Sequence, residues 1–446
     1  MRKRQAATMI GAVVTAAVAL LAGATLIPTG VLGGTDPRAQ ASGAPAPGAT
    51  GPAPQDVSTR AVNDLQRHLS LVPGDWTAWS ALGTTYVERA RVTGDPTYYP
   101  RAETALARSL AIRPVDNDAA LAGQAALAAA RHDFVEALRL ADAAIAINPY
   151  SATAGGIRAD ALIELGRYPQ AWEAVQHTVD LRPDVASLAR VSYAFELQGD
   201  VADARNAMER VLADATSPSD AAFALFHLGE LAWNSGDRDG ADDAYRRGLE
   251  RDPSSATLLG GRARVAAARG QIETALADYQ SVVTRMPTPA LVIEYGELLE
   301  SVGRKDEART QYSLARTTAE LFRTQRVDVG VDLALFEADH GDPAAAFATT
   351  DLQIRTRVGI FVQDADAWAL HQLGRDSEAL VHARAAVALG TQRALLRYHL
   401  GVIEASLGQR DAAAADLRTA LATNPYFSPL HAPRAATLLA TLAGGR

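Results

Sequence analysis

From residue 57 onward, apolar residues recur at three- and four-residue spacing, and the alternation of a half-buried strand is absent throughout. The chain therefore reads as helices. Two residue types punctuate them in separate phases. Prolines stand at Pro73, Pro114, Pro149, Pro183, Pro218, Pro253 and Pro287, at intervals of 41, 35, 34, 35, 35 and 34 residues. Glycines stand at Gly166, Gly199, Gly236, Gly270, Gly303, Gly341, Gly374 and Gly408, mostly 33 to 38 apart. One alanine-rich helical pattern fills each gap. The unit is helix, glycine turn, helix, proline stop, and such units bury their apolar faces only by stacking. The predicted fold class is all-α, an α-solenoid.

The unit beginning at Ala222 makes the physics explicit. Leu225, Leu228, Gly229 and Ala232 share one face of a first helix, and Ala241, Tyr245, Gly248 and Leu249 share one face of a second. Gly229, Ala241 and Gly248 are small enough to let backbones approach closely. Gly236 supplies the left-handed turn between the helices, and Pro253 stops the second.

These residue types at this spacing resemble the tetratricopeptide repeat. The first full unit carries the pattern as Trp79, Leu82, Gly83, Tyr86, Ala102 and Pro114, with a seven-residue insertion within Val92–Tyr99 that accounts for the interval of 41. Ala159, Gly166, Ala171 and Pro183 match in the third unit. Ala263, Gly270, Ala275, Tyr279 and Pro287 match in the sixth, and Leu400, Gly401, Gly408, Ala413, Ala420 and Pro425 in the tenth. The solenoid is assigned to residues 57–446: a half-repeat at 57–73, about ten repeats over 76–425, and a capping helix at 433–442. Units eight and nine fit the pattern least. The resemblance implies a right-handed superhelix whose first helices line a concave groove that takes a protein or peptide.

The N-terminus has another character. Arg2, Lys3 and Arg4 precede an apolar run at 9–27, the pattern that directs a chain out of the cytoplasm. Residues 1–27 are expected to be a signal peptide or an N-terminal membrane anchor, with Ala22-Gly23-Ala24 and Ala39-Gln40-Ala41 as small-x-small sites and both fates open. Residues 28–56 are rich in Pro, Ala and Gly and read as a disordered linker. The expected location is extracytoplasmic, either anchored or secreted, with the membrane met only through the N-terminal segment.

Composition narrows the chemistry. The 446 residues include no cysteine, which excludes disulfides, thiolate metal sites, a cysteine nucleophile and a lipidated-cysteine anchor. Lys3 and Lys305 are the only lysines, and neither has a P-loop context. The net charge of −8 includes a positive balance over residues 1–41, so the body is more acidic than the whole. Nucleic acid is not an expected partner. The nine histidines form no metal-ligand pair at helical spacing, although His371 and His382 could approach across a hairpin. No nucleophile elbow occurs. Acids such as Asp242-Asp243 and Glu297/Glu300 read as solvated helix faces, and Arg246, Arg247, Arg251, Arg262, Arg264 and Arg269 as solubilising or ion-paired. No catalytic, cofactor or metal residue is assigned, and the reading is not an enzyme.

Binding positions follow from the groove. On the fifth unit's first helix, Phe223, Phe226, Glu230, Trp233 and Asn234 lie off the packing stripe, with three aromatics forming a second apolar line. Tyr193, Glu196, Asp160, Glu164 and Arg264 extend the surface across units three to six. Phe361, Trp368, His371 and Tyr398 form a second candidate patch in units nine and ten. Large contact area at low entropy cost suits aromatics to partner anchoring, and it suits them equally to filling space between successive first helices. The leading functional expectation is an exported or tethered scaffold for protein–protein interaction. The alternative is an extracytoplasmic ligand-binding or enzyme-assisting component handling glycan or metal. Oligomeric state is left open.

Overall fold

The computed structural model describes residues 54–444. The apolar run at 9–27 and nearly all of the linker lie outside the described residues. Numbered in chain order, α1 (Pro54–Leu71) stands alone before ten hairpins. These pair α2 (Trp76–Thr93) with α3 (Tyr99–Ile112), α4 (Asp118–Ala130) with α5 (Phe134–Ile147), and α6 (Ala152–Glu164) with α7 (Tyr168–Leu181). Then come α8 (Val185–Gln198) with α9 (Val201–Asp214), α10 (Pro218–Asn234) with α11 (Arg238–Arg251), and α12 (Ala256–Ala268) with α13 (Ile272–Arg285). The last four are α14 (Pro289–Ser301) with α15 (Lys305–Thr324), α16 (Gly330–His340) with α17 (Pro343–Ile354), α18 (Ile360–Gln372) with α19 (Asp376–Ala386), and α20 (Ala394–Ser406) with α21 (Arg410–Thr423). The closing helix α22 spans His431–Gly444. No strand occurs among the described residues.

Each hairpin follows from its punctuation. Gly236 has φ +75°, and Asp237 caps α11 by accepting from the Gly240 N–H. Gly229 of α10 and Gly261 of α12 both face the Tyr245 ring, so this fully buried tyrosine is clamped between consecutive first helices. Its hydroxyl donates to Glu230 at 2.7 Å. Two expectations about punctuation are corrected. The second unit turns at His132, a non-glycine residue with φ +61°, and Gly341 is not left-handed. Pro218 opens α10 at its first turn, where its missing N–H costs nothing, instead of stopping α9. The seven-residue insertion forms a short 3-10 turn at Pro96–Tyr98.

First helices are buried on nearly every side, as in α4, where nine of thirteen residues are core. Second helices expose an outer face that includes Leu352 and Val381.

The solenoid closes on itself. Hairpin turns of the early units touch inter-unit loops 191 to 196 residues later. The Asp328 N–H donates to the Arg131 carbonyl at 3.0 Å, and the Ile360 N–H to the Tyr168 hydroxyl at 3.0 Å. Asn424 donates to the Trp233 carbonyl at 2.8 Å. Gly94, Gly166, Gly199 and Gly236 lie against Met286, Val358, Gly390 and Thr423 of the later turn. Arg357 is paired with Glu164 across this seam, nearly dry on both sides, and its guanidinium stacks 4.7 Å from the Phe134 ring centroid. One superhelical turn rests directly on the next.

Candidate functional site

Closure decides where an open inner surface survives. Units seven to ten lie against units one to five, covering one edge of the surface expected to be open in units three to five. Asp160 is a buried partner of Arg190, which donates to it through Nε at 2.9 Å and Nη2 at 2.6 Å. Glu164 is held by Arg357, and Glu196 by Arg393 at 3.1 Å. Tyr193 is 1% exposed in the seam, where it lines a small cavity with Ile360 and Phe361. Asn234 donates to Glu196 at 3.1 Å. Asp160 and Asn234 are paired with neighbouring units, whereas Glu164, Tyr193 and Glu196 meet the second superhelical turn, a consequence of pitch that no single unit reveals.

The aromatic line of α10 divides. Phe223 and Phe226 flank the buried His227, with ring centroids 4.5 and 5.2 Å away. Burial holds that imidazole down at about 4. Trp233 instead reaches an inner cleft of about 460 Å³, which it lines with Arg264. Arg264 is ion-paired to Glu230, 3.8 Å from Glu294, and 5.7 Å from the Trp233 ring centroid. Burial works against both charges, but the pairing prevails. Arg264 is held well above its ordinary value, and the Glu230 carboxyl below its own.

The second predicted patch is a buried knot. Trp368 and Tyr398 are 3% and 4% exposed, and the Trp368 ring stacks 4.1 Å from His399. Phe361 packs in the seam beneath Arg393. His371 bonds Asp376 at 2.5 Å, whereas His382 contacts Gln363 and Asp366. The two histidines take separate partners. Among the described residues, no group of three His, Asp or Glu side chains is arranged to hold a metal ion.

The open cleft lies farther along the chain than expected. Its walls come from α12, α14, α16 and α20, and the segment Pro425–Pro433 closes one side. Four carboxylates line it: Glu294 and Glu297 of α14, and Asp332 and Asp339 of α16. Tyr279 donates to Glu294 at 3.0 Å. Glu294 keeps 38% side-chain exposure, yet its carboxyl is raised, chiefly by desolvation. Burial pushes Asp332 up to about 6, with Arg357 only partly opposing. Asp339 accepts from Trp368 Nε1 and pairs with His431, both at 3.1 Å. Glu297 approaches His340 at 3.6 Å, and Glu300 approaches it at 3.4 Å. Sequence reasoning treated Glu297 and Glu300 as solvated and passed over Asp332, Asp339 and Tyr426. Of these, only the i, i+7 spacing of two aspartates on one helix face was available as a signal. The arginines of the outer helices are ion-paired, as Arg246 is with Asp243 and Glu250, and Arg269 with Asp239 and Asp242.

Stacked helical hairpins with an enclosed inner surface define a helical-repeat solenoid. Within it, residues 157–221, 193–256 and 226–290 each match the family model of the tetratricopeptide repeat. Residues 157–290 are tetratricopeptide repeats. No curated protein matches it in sequence. Among solved structures, it is similar to a tetratricopeptide repeat protein from Parabacteroides merdae, with 18% identity over 58% of this chain and 99% of that one, and a TM-score of 0.36. It is similar also to the human IFIT1 dimer with PPP-AAAA, with 11% identity over 83% and 95% of the two chains and a TM-score of 0.45. Yeast Tom70 shares 14% identity over 87% and 86%, with a TM-score of 0.36.

Proposed function

We propose that this protein is a non-catalytic scaffold that receives a segment of a protein partner in the inner cleft between α12, α14, α16 and α20. One observation carries the reading. The cleft is a large opening among the described residues, and its volume of about 460 Å³ suits a few residues of a partner chain better than a whole domain. Its lining combines apolar side chains such as Ile293, Leu335 and Phe427 with convergent polar groups. Shape and chemistry are then both specified.

We further propose that the scaffold works outside the cytoplasm, exported or tethered by residues 1–27, with the following linker as a spacer. The basic start and the apolar run support this. Among the described residues, no helix is long and apolar enough to cross a membrane.

A photo-crosslinking residue at Ile293, in the cleft, tests the site against one at Leu352, on the outer surface. The expected result is a discrete partner adduct from position 293 and none from 352. Adducts from 352 alone would reject the cleft. N-terminal sequencing of the mature protein tests export: a start beyond residue 22 marks cleavage, whereas an intact start in the membrane fraction marks an anchor.

A further inference from the structure

Hydrogen-bond roles in the cleft are one-sided. Four carboxylates line it against a single arginine, and Arg264 is already bound to Glu230. Two histidines add to the imbalance. His431 is 4% exposed and places Nε2 at 3.1 Å from Asp339, so that nitrogen carries the proton toward the carboxylate. Its Nδ1 is then an acceptor, and it has no partner. His399, 1% exposed, commits Nδ1 to Asp364 at 2.9 Å, which makes Nε2 the acceptor of that ring. Among the described residues Asp332 has no hydrogen-bond or ion-pair partner, and the nearby Arg357 guanidinium is committed to Glu164. Among the charged side chains that line the cleft, four carboxylates face one arginine.

We infer that the cleft takes the basic side chains of its partner, arginine or lysine, whose nitrogens donate to Glu294, Glu297 and Asp332 while the alkyl stems lie along Phe336 and Tyr426. Guanidinium and ammonium groups carry donors only, which complements this lining. Aromatic walls favour a cation over a neutral donor. Asp332 and Asp339, whose oxygens keep a lone pair each beyond the Trp368 and His431 bonds, lie seven residues apart on α16, about 10 Å along the helix axis. A polyproline II segment rises about 9 Å over three residues and brings i and i+3 to one face, so two basic residues at that spacing fit. The inference rests on the partner-binding reading and names the chemistry of what is bound.

Calorimetry on the full-length chain with acetyl-Arg-Gly-Gly-Arg-amide and its dicitrulline counterpart tests it, because citrulline keeps the shape and removes the charge. The arginine peptide is expected to bind at least about tenfold more tightly, with affinity falling as salt rises. Asp332→Asn and Glu297→Gln should each weaken it about tenfold with unchanged helical circular dichroism. Equal affinity for the citrulline peptide, or no saturable binding of the arginine peptide, would overturn the assignment. Agmatine binding as tightly as the peptide would overturn it too, by giving the cleft to a free organic cation. Partner adducts from position 293 in the absence of arginine-peptide binding would sink the basic-side-chain assignment alone. Loss of those adducts sinks the partner reading itself.

Discussion

Units three to six and units eight to ten share one hairpin design but hold their buried acids by different means. In the earlier units the partners are arginines: Arg190 for Asp160, Arg357 for Glu164, Arg264 for Glu230 and Arg393 for Glu196. In the later units Asp364, Asp366 and the half-buried Asp339 face His399, His382 and His431, Asp366 also accepting from Thr350, and Glu404 is the exception, paired with Arg384. His340 lies between Glu297 and Glu300 at the junction. An arginine stays charged at every working pH, whereas an imidazole changes charge near neutrality. Part of this solenoid is therefore held by fixed arginine charges, and part by imidazole–carboxylate contacts. The cleft lies across the boundary.

The comparison is broken most forcefully on the arginine side. Arg190→Ala leaves Asp160 buried without its bidentate partner and is expected to cost about 3–5 kcal/mol, read from urea unfolding followed by circular dichroism. A smaller loss is expected at the seam. Asn424→Ala removes one of the two donors of the Trp233 carbonyl and the acceptor of the Tyr426 N–H, and should cost about 1–3 kcal/mol, seen as faster hydrogen exchange in units five and ten together. Exchange changed in unit ten alone would show that the seam carries no load.

Asp332→Asn works in the opposite direction. Its carboxyl is raised to about 6 from an ordinary value near 4, so ionisation destabilises the fold as pH rises through that interval. Removing the charge should stabilise the protein at pH 7 by about 1–2 kcal/mol while weakening the arginine peptide. A site kept for binding at the expense of stability has that combination. The smallest effect is the pH response of His340. Burial pulls its imidazole down, but Glu297, Asp339 and Glu300 outweigh this and raise it above the ordinary value. A raised histidine contributes stability that is fully present below its unfolded value and is lost as pH climbs through the folded one. Exchange protection around α14 and α16 should therefore decline from pH 6 to pH 8, and His340→Gln should flatten that decline.

Much of the fold was legible because local rules repeat. The glycines facing Tyr245 and the loops after Pro149 and Pro183 follow from helix geometry within one unit. The site was less legible, for a reason that Tyr193 illustrates. Its position on α8 does face inward, but Ile360 and Phe361 arrive there only because small rotations between units accumulate to a full turn over some 190 residues. No residue encodes that sum. Trp233 and Arg264 were found because they lie in regular units. Asp332 and His431 were missed because units eight and nine fit the pattern least and the segment before α22 follows no repeat.

The seam also alters how this ribbon can come apart. An open array frays from its ends, one hairpin at a time, since each depends only on its neighbours. Here the last hairpin is fastened to the fifth through Asn424 and Tyr426, so peeling it away breaks bonds formed with sequence some 190 residues distant. Such long loops are slow to close, so assembly of the coil should lag well behind formation of its individual hairpins. Once shut, it should resist pulling as a clasped bracelet does, yielding abruptly instead of link by link.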